Sequence, residues 1–267
     1  MTDDPRLIDS PSDPEVQRVL DVSRRSKAAT RSLFIEDVEP VQHAVRAGLR
    51  FTGVYALESA ELPGELLAAI AAQDVPFARV TSGVVSQMFK GDRRPPEMFA
   101  IARTPPAATL DDVARRPGDV VVLDGAKIVG NIGAIIRSAY GLGAAGVVLV
   151  GSDLDSVLDR RVVRASRGYV FSLPVVLATP EEARGFLVGG PRAVALDAGG
   201  ELGLADLTAL PERLALVLGG EKTGHAGHLV NDAADIVSIP MHPEAESLNV
   251  SVVAGIALAA RTGSNLA

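Results

Sequence analysis

The second half of the chain is punctuated by short, almost unbroken apolar runs: Asp119-Val-Val-Val-Leu123, Gly146-Val-Val-Leu-Val150, Ala193-Val-Ala-Leu196, Leu214-Ala-Leu-Val-Leu218 and Asp235-Ile-Val-Ser-Ile239. A strand with one wet face alternates apolar and polar residues. Runs without that alternation suit strands covered on both faces, as in a parallel sheet. Helical candidates lie between them at 132–142 and 156–166, and another, 249–261, closes the chain. The pattern predicts an α/β domain. Aromatic residues make up only 4% of the chain and Trp is absent, so Ala, Val and Leu must fill its core.

A break precedes this pattern. Thr104-Pro105-Pro106-Ala107-Ala108 is a stiff, extended connector, and Arg115-Arg116-Pro117-Gly118 is a turn before the next strand. Ahead of the break, helical spacing over 37–47, 62–72 and 82–89 alternates with strand-like stretches at 51–57 and 76–80. The predicted organisation is an N-terminal extension (1–30) with a loosely attached helix from Pro14 to Ser23, a smaller α/β domain (31–104), a linker (105–118) and the larger domain (119–267).

The formal charge of -7 argues against a broadly basic nucleic-acid coat. Local clusters remain: Arg24, Arg25, Lys27 and Arg31; Lys90, Arg93 and Arg94; Arg160, Arg161, Arg164 and Arg167. It is the local patch rather than the net charge that attracts phosphate, although solvated surface is the bland alternative for each cluster. The chain has no cysteine, which excludes disulfides and thiolate metal sites. The acidic start has no apolar signal region, and no apolar stretch approaches the ~20 residues of a membrane span, so a cytoplasmic protein without membrane contact is expected. His225 and His228 lack a third ligand, so no metal site is expected.

Three loops carry the chemistry. Gly130-Asn131-Ile132-Gly133 opens a helix but lacks the glycine spacing of a dinucleotide fold, and Lys222-Thr223 follows Glu221 rather than the glycine of a phosphate loop. Both nucleotide-loop readings fail on spacing. Asn131, Ser247 and Asn249 all suit helix caps, while Arg137 and Glu221 could be ordinary ion-pair residues.

Taken together and in order, Asn131-Ile132-Gly133-Ala134-Ile135-Ile136-Arg137, Leu218-Gly219-Gly220-Glu221-Lys222 and Ile239-Pro240-Met241 with Ser247-Leu248-Asn249-Val250-Ser251 resemble the three signature motifs of the SpoU RNA ribose 2'-O-methyltransferases. The resemblance spans about 119–261. It implies a trefoil-knotted C-terminal domain of a homodimer, although knots are nearly absent from folds in general. It also implies S-adenosylmethionine held by Leu196, Asp197, Leu218, Gly219, Gly220, Ile239, Met241 and Leu248. A catalytic cluster of Asn131, Arg137, Glu221, Ser247 and Asn249 is carried over by position, with Arg137 reaching across the dimer, and no metal is required.

The first half resembles a ribosomal-protein-like RNA-binding domain. Further segments, Pro11-Ser12-Asp13-Pro14, Ile35-Glu36-Asp37-Val38-Glu39-Pro40, Phe89-Lys90-Gly91 and Ser166-Arg167-Gly168-Tyr169-Val170-Phe171, are similar to the thiopeptide-resistance branch of the family. That branch implies methylation of an adenosine in the GTPase-associated loop of 23S rRNA, a loop being able to splay a base where an A-form helix hides it. Arg24, Arg25, Lys27, Lys90, Arg93, Arg94, Arg164 and Arg167 are then candidate phosphate contacts. The alternatives are a SpoU enzyme acting on tRNA or another rRNA position, and a catalytically idle RNA-binding protein on the same scaffold.

Overall fold

The computed structural model describes residues 5–24, 31–91, 94–219, 229 and 232–265. Two units emerge: residues 1–106 with 158–172, and residues 107–157 with 173–267.

In the first unit the chain runs through β1 (Arg6–Ile8), α1 (Pro14–Arg24), β2 (Ser32–Glu36), α2 (Val38–Arg46), β3 (Phe51–Leu57), α3 (Gly64–Ala71), β4 (Phe77–Val80), α4 (Ser82–Met88) and β5 (Met98–Arg103). The sheet order is β1-β4-β3-β5-β2. β1, β4 and β3 are parallel, whereas β5 is antiparallel to both β3 and β2. The sequence reading left β2 and β5 out.

The N-terminal residues are not loosely attached. β1 pairs with β4, and α1 buries Val16 and Val19 beside Phe34, Tyr55, Phe89 and Phe99. This cluster holds four of the chain's ten aromatics, with Tyr55 and Phe89 each 5.4 Å from Phe99 between ring centroids.

The second unit contains α5 (Leu110–Arg115), β6 (Val120–Asp124), α6 (Val129–Gly141) and β7 (Gly146–Val150). The chain then contributes α7 (Arg160–Ala165) and a 3-10 turn (Tyr169–Phe171) to the first unit. It returns for β8 (Val175–Ala178), α8 (Pro180–Leu187), β9 (Arg192–Leu196), α9 (Leu204–Ala209), β10 (Leu214–Gly219), β11 (Asp235–Val237) and α10 (Val250–Asn265). The six strands are all parallel, in the order β11-β9-β10-β6-β7-β8. β6 and β7 are buried at every position, as their unbroken apolar runs require. From β6 the chain winds outward through β7 and β8, then crosses over to build β9, β10 and β11 on the other side. Such a reversal opens a crevice at the carboxyl ends of the strands.

The expected helix over 156–166 shrinks to Arg160–Ala165 because Asp159 caps it, accepting from the Arg161 amide at 2.8 Å. The segment is held in the first unit by charge and close packing. Glu36, almost fully buried, accepts from Arg160, and the His43 ring packs tilted against Tyr169 with centroids 4.1 Å apart. Burial first, and then the Arg46 charge, hold the His43 imidazole below its usual pKa. Gly168 sits at φ +82, and a Cβ there would lie 2.6 Å from Pro40 Cα. Gly168→Ala is therefore expected to destabilise the protein by more than the roughly 1–2 kcal/mol of the left-handed backbone alone. Thermal unfolding checks this, and an unchanged midpoint would contradict it.

Candidate functional site

At the carboxyl ends of β9, β10 and β11 lies a cavity of about 440 Å³. Its wall combines Leu196 and Asp197 at the end of β9, Leu218 and Gly219 at the end of β10, and Val237, Ile239 and Met241 after β11. Ser247, Leu248 and Val250 close it from the start of α10. Every described residue expected to hold a cofactor lines this one space; Gly220 lies outside the described residues. The volume falls within the roughly 300–1,000 Å³ of small-molecule sites, and an apolar lining with a few polar groups is their usual chemistry. The Asp197 carboxylate accepts from the Gly199 amide at 2.8 Å, which shapes the turn leaving β9.

Beside the cavity, the Asn249 side-chain amide donates to the Asn131 carbonyl oxygen at 3.2 Å, across 118 residues of sequence. Asn249 also caps α10, its carbonyl oxygen accepting from the Ser251 amide at 2.8 Å. Asn131 is not the cap that its sequence context suggests. α6 starts two residues earlier, so Asn131 lies in the first turn with its side chain free to reach α10. Ser247 is exposed at the cavity wall rather than capping a helix.

Arg137 lies on the exposed side of α6, whose opposite face buries Ile132, Ile135, Ile136 and Ala139. It has no hydrogen bond or ion pair among the described residues and is absent from the cavity wall. The structure thus joins Asn131 to Asn249, places Ser247 on the cavity wall, and leaves Arg137 on the exposed face of α6. Glu221 lies outside the described residues.

Comparison with known proteins covers both halves of the chain. Residues 119–259 match the SpoU rRNA methylase family, and residues 5–116 match the thiostrepton-resistance methylase N-terminus. The chain belongs to the SpoU rRNA methylase family. Among its relatives, the 23S rRNA (adenosine(1067)-2'-O)-methyltransferase of Streptomyces laurentii is 51% identical over 96% of this chain and 94% of its own. The protein of that name from Streptomyces azureus is 49% identical over 97% of each. Among solved structures, the SpoU methyltransferase AviRb of Streptomyces viridochromogenes, in complex with AdoMet, has a TM-score of 0.76 at 25% identity, over 93% of this chain and 98% of that one.

One residue of this SpoU chain escaped the sequence reading. Asp124 ends β6 and is 1% exposed; one carboxylate oxygen accepts from the Leu229 amide at 2.6 Å, while the other has no hydrogen-bond partner among the described residues. Gly219 is its register partner on β10, so the chain carrying the second SpoU motif leaves from Asp124 and returns to it. Its only sequence signal was an acid at the end of an apolar run.

The nominated cations fare unevenly in the first unit. Arg24 and Lys90 are exposed, whereas Arg25, Lys27 and Arg93 lie outside the described residues. Arg94 pairs with Glu97 at 3.1 Å, Arg167 with Glu39 at 3.1 Å, and Arg164 with Glu36 and Asp37 at 3.7 and 3.8 Å. Burial, and then the neighbouring Glu36 charge, raise the Asp37 carboxyl above its usual pKa, the arginines opposing.

Among the described residues no group of three metal-ligating side chains is assembled, and no helix is long and apolar enough to cross a membrane. His225 and His228 lie outside them.

Proposed function

We propose that this chain transfers a methyl group from S-adenosylmethionine to the ribose 2'-hydroxyl of an adenosine in the GTPase-associated loop of 23S rRNA, in the cytoplasm, and so confers resistance to thiopeptide antibiotics. The observation that carries the proposal is the convergence of the three motif loops. Loops of the second and third motifs line one cavity, and the Asn131–Asn249 hydrogen bond ties the first motif to the third beside it, in a chain about half identical to 23S rRNA methyltransferases.

When bound, S-adenosylmethionine supplies a methyl on a positively charged sulfur, a carbon already activated by its own leaving group. The chain's residues have to hold and orient. Leu218, Ile239 and Leu248 offer apolar walls for a flat base, and Gly219 lets the main chain approach it closely. Asn131 and Asn249 fix the relation between α6 and α10 at the rim, with Ser247 beside them. By their place in the motif, Glu221 is assigned to the catalytic cluster and Gly220 to the cofactor loop.

Arg137 acts on the hydroxyl. A guanidinium keeps its proton to above about pH 12, so it is unsuited to be the base. Its role is to orient the 2'-hydroxyl and to stabilise the developing alkoxide charge, with the proton passing to an RNA phosphate. Its exposed position suits service to a neighbouring protomer in a homodimer, and the exposed Tyr140 on α6 and Val252 on α10 provide apolar surface for one. The trefoil knot is part of the same reading. So is recognition of the RNA loop by the first unit.

The test is transfer of labelled methyl from S-adenosylmethionine to a short hairpin of the 23S GTPase-associated region, beside the same hairpin with a 2'-deoxy target adenosine. Label on the first hairpin alone is the expected result. Equal label on both moves the reaction to another atom, and label on neither overturns the substrate.

A further inference from the structure

The strongest arginine cluster of the first unit is not contiguous in sequence. Arg50 immediately precedes β3 and Arg103 ends β5. Phe51 pairs with Ala102, so the next positions outward are Arg50 and Arg103, joined by the Arg103 amide donating to the Arg50 carbonyl at 2.8 Å. On the other flank of β5, the Thr104 amide donates to the Arg31 carbonyl at 3.1 Å, where β2 begins. Three arginines, separated by 19 and 53 residues of sequence, therefore end three adjacent strands at the same edge of one sheet. Neighbouring strands lie only about 4.8 Å apart.

All three are exposed, and none has a hydrogen bond or ion pair from its side chain among the described residues. Asp74, in the turn before β4, forms no ion pair with them. The contrast with Arg94, Arg164 and Arg167, each beside a carboxylate, is physical. A paired arginine must share or surrender its acid before it neutralises a phosphate, whereas an unpaired one only releases counterions from the RNA. Like charges opposed across an antiparallel pair also destabilise a sheet. Arg50 opposite Arg103 thus works against folding unless a polyanion lies over it.

We propose that Arg31, Arg50 and Arg103 form a phosphate-binding edge that holds the sugar–phosphate backbone of the RNA substrate. This rests on the RNA-methyltransferase reading above and names a surface that reading did not use. Phosphate contacts position an RNA without reading its bases, so the edge sets affinity and register, not the choice of nucleotide.

The test is a triple Arg31→Gln, Arg50→Gln, Arg103→Gln variant of the full chain, titrated with the 23S hairpin over a range of salt. The slope of log affinity against log salt is expected to flatten by about 2, and affinity at about 0.15 M salt to fall at least roughly tenfold. Cofactor affinity should stay unchanged, and the melting temperature should be no lower than that of the wild type. An unchanged salt slope in the variant overturns the phosphate edge while leaving the enzyme reading intact. A weaker complex accompanied by a lower melting temperature also overturns it, because the arginines would then be structural. A wild-type chain that does not bind the hairpin at all overturns the substrate reading and this edge with it.

Discussion

Replacing Arg137 with Lys is expected to lower methyl transfer to the rRNA hairpin by about 10²–10⁴-fold and to leave S-adenosylmethionine affinity unchanged. The charge survives, but the planar fork that can hold a hydroxyl and a phosphate oxygen together does not. The cofactor should be indifferent, because Arg137 is absent from the cavity wall. Single-turnover transfer and calorimetric cofactor binding separate the two effects; full turnover in the variant would refute the role. Mixing Arg137→Lys with a cofactor-site variant such as Ile239→Arg gives a second readout. If Arg137 serves the opposite protomer, a mixed dimer joins one intact cofactor cavity to the other chain's arginine and regains activity. If it serves its own cavity, no mixture does.

The largest expected loss of stability lies at the other end of α10. Arg261 is 6% exposed and donates to the Asp119 carboxylate at 2.7 Å, to the Leu207 and Leu210 carbonyls at 3.1 and 2.6 Å, and to the Glu212 carbonyl at 2.9 Å. One guanidinium thus ties the closing helix to the start of β6 and to the segment joining α9 to β10. Asp119 is engaged on both sides, since it also accepts from the Leu214 amide at 2.8 Å. Arg261→Met removes the cation and leaves a buried carboxylate and several carbonyls without a donor. The expected cost is about 3–5 kcal/mol, or about 6–20 °C in melting temperature. Adding Asp119→Asn should restore part of it, because the amide keeps an acceptor for Leu214 without an unpaired charge. Thermal and denaturant unfolding check both variants, and a single variant as stable as the wild type would show that the staple contributes nothing.

Where the sequence was legible, one reason recurs. The five apolar runs of the second half became strands within a residue or two at the start of each; in β6, β7 and β10 this is because a strand buried on both faces leaves no polar position to confuse the pattern. β8, Val175-Val-Leu-Ala178, which follows Pro174, was not among the strands read from the sequence. β2 and β5 were not read either, and α7 was overextended because nothing in its charge pattern announced the Asp159 cap.

The motif residues were recognisable as a family signature, but their partners were not. No local rule says that Asn131 will accept from Asn249 rather than cap its own helix, since either use suits an asparagine at a helix start. The cations show the same limit more sharply. Contiguity drew attention to Arg160, Arg164 and Arg167, yet the fold sets the acids of 36–39 against them. Arg50 and Arg103, isolated in sequence, become neighbours only through an antiparallel pairing.

By itself, then, the sequence determined the α/β class, the parallel sheet of the second half and the family's motif loops. All of these follow from local pattern: burial on two faces, helical spacing and motif spacing. Tertiary structure alone decided which loops share a cavity, that residues 158–172 pack in the first unit, and which charges are neutralised and which stand bare. Those outcomes depend on contacts between residues far apart in the chain, where burial and charge pairing are properties of the assembled neighbourhood.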